Sequence, residues 1–299
     1  LYTMSNNSKT ILTLNYARLY DTRKDYGLSG LTDQFKNENC PKDDGIYSFH
    51  FNDKSKKLIV SLTQLQSFGQ EIDSKAKQRI NHMMFNPSGS RFCFLHRFER
   101  EDGIGHSRLF TANTDGSDIR LIYEGFISHY GWKDDKNLLA WAGQRSILGA
   151  QNKSKLNPMK IIGKLLKPIY YALGKPRILM SKVVGDAYWI IEDSVKNKPK
   201  KVASGKLTCD GHCTFLNSTN WFVTDGYPNT KNKQPLFLWN LESNNGFEIG
   251  QFYTPKELDN ELRVDLHPRF NYNGTKICID SAMNGYRGVY EVDISNIIK

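Results

Sequence analysis

The stretch LHPRFNYNG (266–274) sets a histidine three residues ahead of a phenylalanine and just before a tight turn. The same order recurs at NHMMFNPSG (81–89), SHYGWKDDK (128–136) and GHCTFLNST (211–219). Each reads histidine, two residues, Phe or Trp, then a turn-forming cluster. The run after each turn recurs too: SRFCFLHRF (90–98), NLLAWA (137–142), WFVTD (221–225) and TKICIDS (275–281). These runs are apolar or alternate, and Asn-Gly or Ser-Gly between such runs marks a hairpin, because the turn needs a positive φ.

Each repeat usually continues with two further strands. RLFTANTDGSDIRLIYEG (108–125) reads as a second hairpin about Asp115-Gly116, and PLFLWNLESNNGFEIGQF (235–252) and GVYEVDI (288–294) hold the same place later. At the N-terminus, LYTMSNNSKTILTLN (1–15) fits the first hairpin with Met4 in the aromatic position and Leu1 where the histidine would stand. GIYSFHFNDKSKKLIVSL (45–62) supplies its outer hairpin. Each repeat is therefore a four-stranded meander that cannot bury both faces alone. Stacking such meanders radially gives an all-β β-propeller, whose blades run to roughly 40–50 residues. Five blades are expected, either as a closed ring or as part of a seven-bladed one, with residues 1–299 forming a single propeller domain.

Composition agrees with β structure. The chain has 299 residues, only 39% of them hydrophobic, but 15 Tyr, 16 Phe and 5 Trp supply core material. The formal charge of +10 favours an acidic partner, whether polysaccharide, anionic lipid or nucleic acid. Nucleic acid is disfavoured, since the lysines are dispersed and no recognised binding motif is present. The five cysteines, Cys40, Cys93, Cys209, Cys213 and Cys278, lack framework spacing and are expected to be mostly free thiols. No apolar run is long enough to cross a bilayer.

Residues 144–182 break the pattern and read as an insertion between NLLAWAG and the strand GDAYWIIED. Ile161, Leu165 and Ile169 share one helical face, Lys160, Lys164 and Lys167 lie off it, and Pro168 and Pro176 limit any helix to a few turns. Such a basic segment is expected to pack on the propeller flank, lid a cleft, or meet a membrane surface or protein partner.

In a propeller the first strand of each blade lines the central channel. His82, His129, His212 and His267 share one register, so they are expected at one rim, where convergent imidazoles suit a divalent metal ion or proton transfer. Folding each hairpin on its turn places His96 beside His82, Asp225 near His212 and Asp280 near His267. A carboxylate beside an imidazole fixes its tautomer and raises its basicity. Arg97, Arg269 and Arg287, with Tyr130 and Tyr286, fall in the same places, and arginine forks suit carboxylates. A hydrolase with paired carboxylates is disfavoured, because the repeated position carries histidine.

The units HMMFNPSGSRFCFLHRF (82–98), RLFTANTDGSDIRLI (108–122) and DLHPRFNYNGTKICIDS (265–281) resemble the oligogalacturonate lyases and related propellers, among them the propeller-type ulvan lyases. The likeness spans most of the chain except 144–182, and its last portion is shared with Tol-type periplasmic propellers. The resemblance implies a polysaccharide lyase that cleaves a uronic-acid-containing glycan by β-elimination. A base takes the proton beside the carboxylate, a cation neutralises that carboxylate, and the C4–O bond breaks. It implies one divalent ion of the manganese or calcium class at His212 and His267, with Asp225 and Asp280 beside them. His82 or His129 would be the base, supported by His96. Arg97 or Arg269 would clamp the carboxylate, with Arg287 and Tyr286 as further substrate contacts, and Tyr130 would protonate the leaving oxygen. The chain departs from the family pattern in lacking a close His-x-His pair and a glutamine near His267, where Val264, Asp265 and Leu266 stand. A non-catalytic propeller that binds polysaccharide or protein is the alternative expectation.

Overall fold

The computed structural model describes the chain except residues 1, 7, 9, 51–53, 100–104, 144–184, 259–261 and 299. The inserted segment 144–182 lies outside the described residues. The chain divides into two compact units, one of residues 1–127 with 191–198, the other of 128–190 with 199–299.

In the first unit the opening meander is β1 (Thr3–Met4), β2 (Ile11–Leu14), β3 (Gly45–His50) and β4 (Ser55–Ser61), paired in that order. Between β2 and β3 the chain leaves the sheet, which the repeat pattern alone does not predict. Asn15 caps α1 (Tyr16–Thr22) by accepting the Arg18 N–H at 3.1 Å. A 3-10 turn, Lys24–Tyr26, and a loop to residue 44 come next. Arg18, only 2% exposed, ties this excursion down. Its guanidinium donates to the carbonyls of Gln78 (2.7 Å), Phe35 (3.3 Å), Glu38 (3.0 Å) and Asn39 (2.7 Å). After β4, Ser61 and Gln64 form a capping box that starts α2 (Leu62–Leu65), whose two leucines enter the core.

The next meander is β5 (Arg79–Phe85), β6 (Arg91–Glu99), β7 (Gly105–Asn113) and β8 (Arg120–Trp132). Leu12, Ile46, Val60, Phe92, Phe94 and Phe110 are completely buried or nearly so in one core cluster, and Phe94 stacks on Phe110 at 5.4 Å. Alternation along each strand supplies these inward side chains. Burying each one contributes about 1.5–3 kcal/mol. The 191–198 segment joins this unit through Asp193, which accepts from Arg91 at 2.6 Å and from Arg120 at 2.9 Å through its backbone carbonyl.

At 13 residues, β8 is long enough to serve two meanders. Residues 120–125 pair with β7 in the first unit, and 128–132 begin the second. The strand order then continues through β9 (Asn137–Gly143), β10 (Ala187–Glu192) and β11 (Lys200–Val202). Next come β12 (Cys213–Phe215), β13 (Trp221–Asp225), β14 (Lys233–Asn240) and β15 (Asn245–Tyr253), again in order. The last sheet has three strands, β16 (Arg269–Phe270), β17 (Lys276–Ser281) and β18 (Gly288–Asp293). Val223 and Leu236 from one sheet share a core with Leu266 and with Ile277 and Ile279 from the last sheet. Successive antiparallel meanders are thus present where the repeats predict them.

The five cysteines are free. Burial pushes the thiols of Cys209 and Cys213 up to about 12, so both are neutral.

Candidate functional site

Each repeat histidine of the second unit stands within or just before the first strand of its meander. His129 lies in β8, His212 directly precedes β12, and His267 lies two residues ahead of β16. Three residues on, the aromatic turns into the core: Trp132 and Phe215 are each 7% exposed. The local sequence allows close approach beside these histidines. A Cβ on Gly211 would meet the Asp225 carbonyl oxygen at 1.8 Å, so only glycine fits beside His212.

The three imidazoles form a column. The His129 and His212 ring centroids are 4.0 Å apart, and those of His212 and His267 are also 4.0 Å apart. Exposure rises along it, from His129 at 10% of its side chain to His212 at 17% and His267 at 43%.

Asp225 anchors the column. It ends β13, and the pairing of Cys213 with Thr224 sets it opposite His212, as the hairpin arithmetic predicts. Its carboxylate accepts the His212 backbone N–H at 2.6 Å, His212 Nδ1 at 3.0 Å and the His267 backbone N–H at 3.1 Å. That last bond helps hold His267 at φ 44, a left-handed conformation that a non-glycine residue rarely adopts. Burial alone would raise the Asp225 carboxyl, but the His212 charge and hydrogen bonds outweigh it and hold it at about 2. Burial alone would lower His212, and Asp225, with Asp265 and Asp210 behind it, raises it above its ordinary value instead. His267 is lowered, first by burial and then by the His212 charge.

The other two Nδ1 atoms are also engaged. His129 Nδ1 lies 2.9 Å from Asp210 Oδ1, and His267 Nδ1 lies 3.1 Å from the Asp265 carbonyl oxygen. Carboxylates and carbonyls accept only, so Nδ1 carries the hydrogen in each neutral ring and Nε2 keeps the lone pair. Three imidazoles are therefore set in the tautomer that a base or a metal ligand needs.

His212, Asp265 and His267 each offer one ligand atom, and these atoms lie within 4.8 Å of one another. Two nitrogens and one carboxylate oxygen suit manganese or zinc better than calcium, which prefers oxygen alone. Asp265 is already forked by Arg263, with Nε–Oδ1 at 2.6 Å and Nη2–Oδ2 at 2.8 Å. Buried Gln234 also reaches Asp265 Oδ1 at 3.4 Å, so a glutamine does stand near this loop, brought from β14. Arg263 lies over the Tyr227 ring at 4.5 Å, and that ring is 6.1 Å from His129.

The other residues expected at the site differ in burial and partners. Asp225 is 1% exposed and orients two histidines, so it stands behind the candidate ligands. Asp280 is 3.9 Å from His267 Nδ1 and pairs with Arg287 at 3.0 Å. Tyr130 is buried at 7%, and strand alternation turns it to the face opposite His129. Tyr227 is the tyrosine near the column. Arg269 donates to Thr214 Oγ1 at 2.8 Å, and Tyr286 is 65% exposed.

His82, His96 and Arg97 belong to the first unit. The expected pairing of His96 with His82 does not form: the pairing of Met84 with Cys93 at the turn already favours Asn81 opposite His96, and the irregularity between Asn81 and Met84 shifts it one residue further, to Ile80. His96 is fully buried, bonds Gln78 Oε1 at 2.8 Å, and is lowered to about 3 by burial and the Arg108 charge. It is a core histidine, closed to substrate. His82 sits in the irregularity with φ 55.

Asp210, Asp265, Tyr227, Arg263 and Gln234 are the site residues that sequence reading misses. Asp210 precedes His212 by two residues, yet it serves His129, 81 positions away. No hairpin reflection reveals such a contact.

No protein-family model matches this sequence, and no curated protein matches it. Solved structures similar to it include an oligogalacturonate lyase in complex with manganese (TM-score 0.42, 9% identity, covering 83% of this chain and 71% of that one). TolB from Acinetobacter baumannii is similar at TM-score 0.46 and 9% identity, over 85% of this chain and 47% of that one. A prolyl endopeptidase is similar at TM-score 0.46 and 8% identity, over 84% of this chain and 31% of that one. These proteins differ in activity, and the likeness selects none of them.

Proposed function

We propose that this chain is a β-propeller that cleaves an acidic, uronic-acid-containing glycan by β-elimination at the histidine column. The observation that carries the reading is the stack of His129, His212 and His267 with every Nδ1 held by an oxygen acceptor. The net charge of +10 supports an acidic partner.

His129 is the base. Asp210 on its Nδ1 stabilises the imidazolium that forms when Nε2 takes the proton beside the uronate carboxylate. Loss of that proton leaves an enolate-like carbanion, which expels the C4 oxygen and creates the C4–C5 double bond. Tyr227 is the candidate for protonating the leaving oxygen, and Arg269, exposed beside Thr214, for receiving the carboxylate. A divalent cation held by His212, Asp265 and His267 would supply positive charge against that carboxylate. Asp225 keeps His212 and His267 in place for this role.

A panel of uronate-containing polysaccharides and oligosaccharides, monitored by ultraviolet absorbance of the unsaturated product, tests the reading. Product that disappears with a chelator and returns with manganese supports cation-assisted elimination. Product insensitive to a chelator assigns the carboxylate to the protein's own cations. No product on any glycan, from folded protein, overturns elimination and favours a propeller that binds without cutting.

A further inference from the structure

The last sheet stops one strand short of the others. In every other meander the third strand is flanked by a fourth: β3 by β4, β7 by β8, β10 by β11 and β14 by β15. Those third strands carry fully buried side chains, among them Ile46, Phe110, Tyr188 and Leu236. β18 holds the same place in the last sheet and has β17 on one side only. Its residues alternate between half-buried and exposed, and none is buried. The described residues after β18 do not fill the gap. Ile297 and Ile298 donate to the Ile294 carbonyl at 2.9 and 3.4 Å, a turn that brings Ile294 and Ile298 to the core instead.

The register shows which groups the open edge presents. Ile294 donates its N–H to the Thr275 carbonyl, just ahead of β17, at 2.9 Å. Bonded and non-bonded pairs alternate along an antiparallel ladder. Tyr290 and Val292 therefore turn their N–H and C=O toward β17. Val289, Glu291 and Asp293 turn theirs outward, where no strand of the described residues meets them.

The side chains set what fits there. Tyr290 and Val292 pack on the core that holds Ile277 and Ile279, and the Tyr290 hydroxyl is buried without a hydrogen-bond partner. The other face carries Val289, 69% exposed, with exposed Glu291 and Asp293. Two of these three outward residues are acidic and none is basic, on a chain of net charge +10. Full antiparallel overlap of two copies would set Glu291 against Glu291, and like charges directly opposite each other are destabilising. A basic strand is attracted instead, and an open edge takes an extended peptide through main-chain hydrogen bonds.

We propose that β18 is a docking edge for an extended segment of a partner protein that alternates apolar with basic residues. The segment runs antiparallel to β18, as every fourth strand of the fold does to its third, and bonds Val289, Glu291 and Asp293 through its main chain. Its apolar residues cover Tyr290 and Val292, and its lysines or arginines meet Glu291 and Asp293. This inference is independent of the elimination reading and uses no residue of the histidine column.

The probes are synthetic peptides of about seven residues that alternate valine or isoleucine with lysine, the length of a typical strand. Calorimetry reads binding to the purified chain, and hydrogen exchange in NMR spectra reads the β18 amides. The lysine peptides are expected to bind saturably and to slow exchange at Val289, Glu291 and Asp293 at least about tenfold. Glutamate in place of lysine should weaken binding at least about tenfold. N-methylation of the lysine amides, which face β18, should abolish binding, whereas N-methylation of the apolar residues' amides should not. Glu291→Pro removes an outward donor and leaves the β17 ladder intact, a substitution that edge strands tolerate, and should abolish binding. Glu291→Lys reverses the charge without touching the backbone and should weaken binding at least about threefold. Absence of saturable binding by every lysine peptide overturns the proposal, as does wild-type binding by folded Glu291→Pro or by Glu291→Lys. Equal binding of lysine and glutamate peptides overturns the basic partner. A dimer in sedimentation equilibrium that Glu291→Pro abolishes makes a second copy the occupant and overturns it too.

Discussion

Replacing Asp225 by asparagine removes one charge and changes almost no volume, so it isolates what the carboxylate does for the column. Asp225 is 1% exposed and meets His212 Nδ1 at 3.0 Å. Its pKa falls from 3.8 to about 2 in the fold, which corresponds to about 2–3 kcal/mol of stabilisation. Leaving His212 as an unpaired buried cation adds to the loss, so Asp225→Asn should destabilise by about 3 kcal/mol at pH 5.5. The sign of the pH dependence is set by both partners. The Asp225 contribution is present above 3.8 and disappears as pH falls toward about 2. The His212 contribution is full below 6.5 and disappears as pH rises through its raised value. The pair therefore stabilises most between about pH 4 and 6.5. In Asp225→Asn that maximum should flatten, and burial should bring the His212 titration below 6.5. All five tryptophans lie in the second unit, so urea unfolding monitored by tryptophan fluorescence reports the right part of the chain. A variant within about 0.5 kcal/mol of wild type, the usual range of neutral surface changes, with His212 titrating as before, would show that Asp225 does not hold the column.

Other residues give equally definite outcomes. His96 is neutral in the fold down to about pH 3, so the first unit should lose about 1.4 kcal/mol for each pH unit below 6.5; His96→Asn should remove that slope in urea titrations monitored by circular dichroism. Arg18→Met leaves Asp33 and Asp44 without their buried cation and should cost about 3–5 kcal/mol, with faster limited proteolysis between residues 24 and 43. Gly211→Ala drives a methyl onto the Asp225 carbonyl and should cost about 1–3 kcal/mol, with loss of the His129–His212 ring contact seen as changed ring chemical shifts.

The meanders are legible because their signal is local. A histidine, an aromatic three residues on and a turn recur with each strand pair, and the turn fixes the register. The same local rule finds Asp225 from His212, since both belong to one hairpin. It fails at β5, where the turn register and the irregularity at Asn81–Met84 together set His96 opposite Ile80. It says nothing of contacts between meanders, and so misses Asp210 on His129, Gln234 on Asp265 and Arg263 on Tyr227. The excursion after β2 escapes as well, because its order depends on one buried arginine gathering four distant carbonyls. Tyr130 misleads for a simple reason: a sequence neighbour of His129 in a strand faces the other way.

His129, His212 and His267 keep hydrogen on Nδ1 and leave Nε2 open. Long-range nitrogen–hydrogen correlation spectra of histidine-labelled protein, recorded above the His212 titration, read the tautomer of each ring directly. All three rings should show the Nδ1–H form, with the His212 pattern lost in Asp225→Asn. Nε2–H tautomers at His129 and His212 would contradict this assignment, because neither ring could then act as base or metal ligand through Nε2.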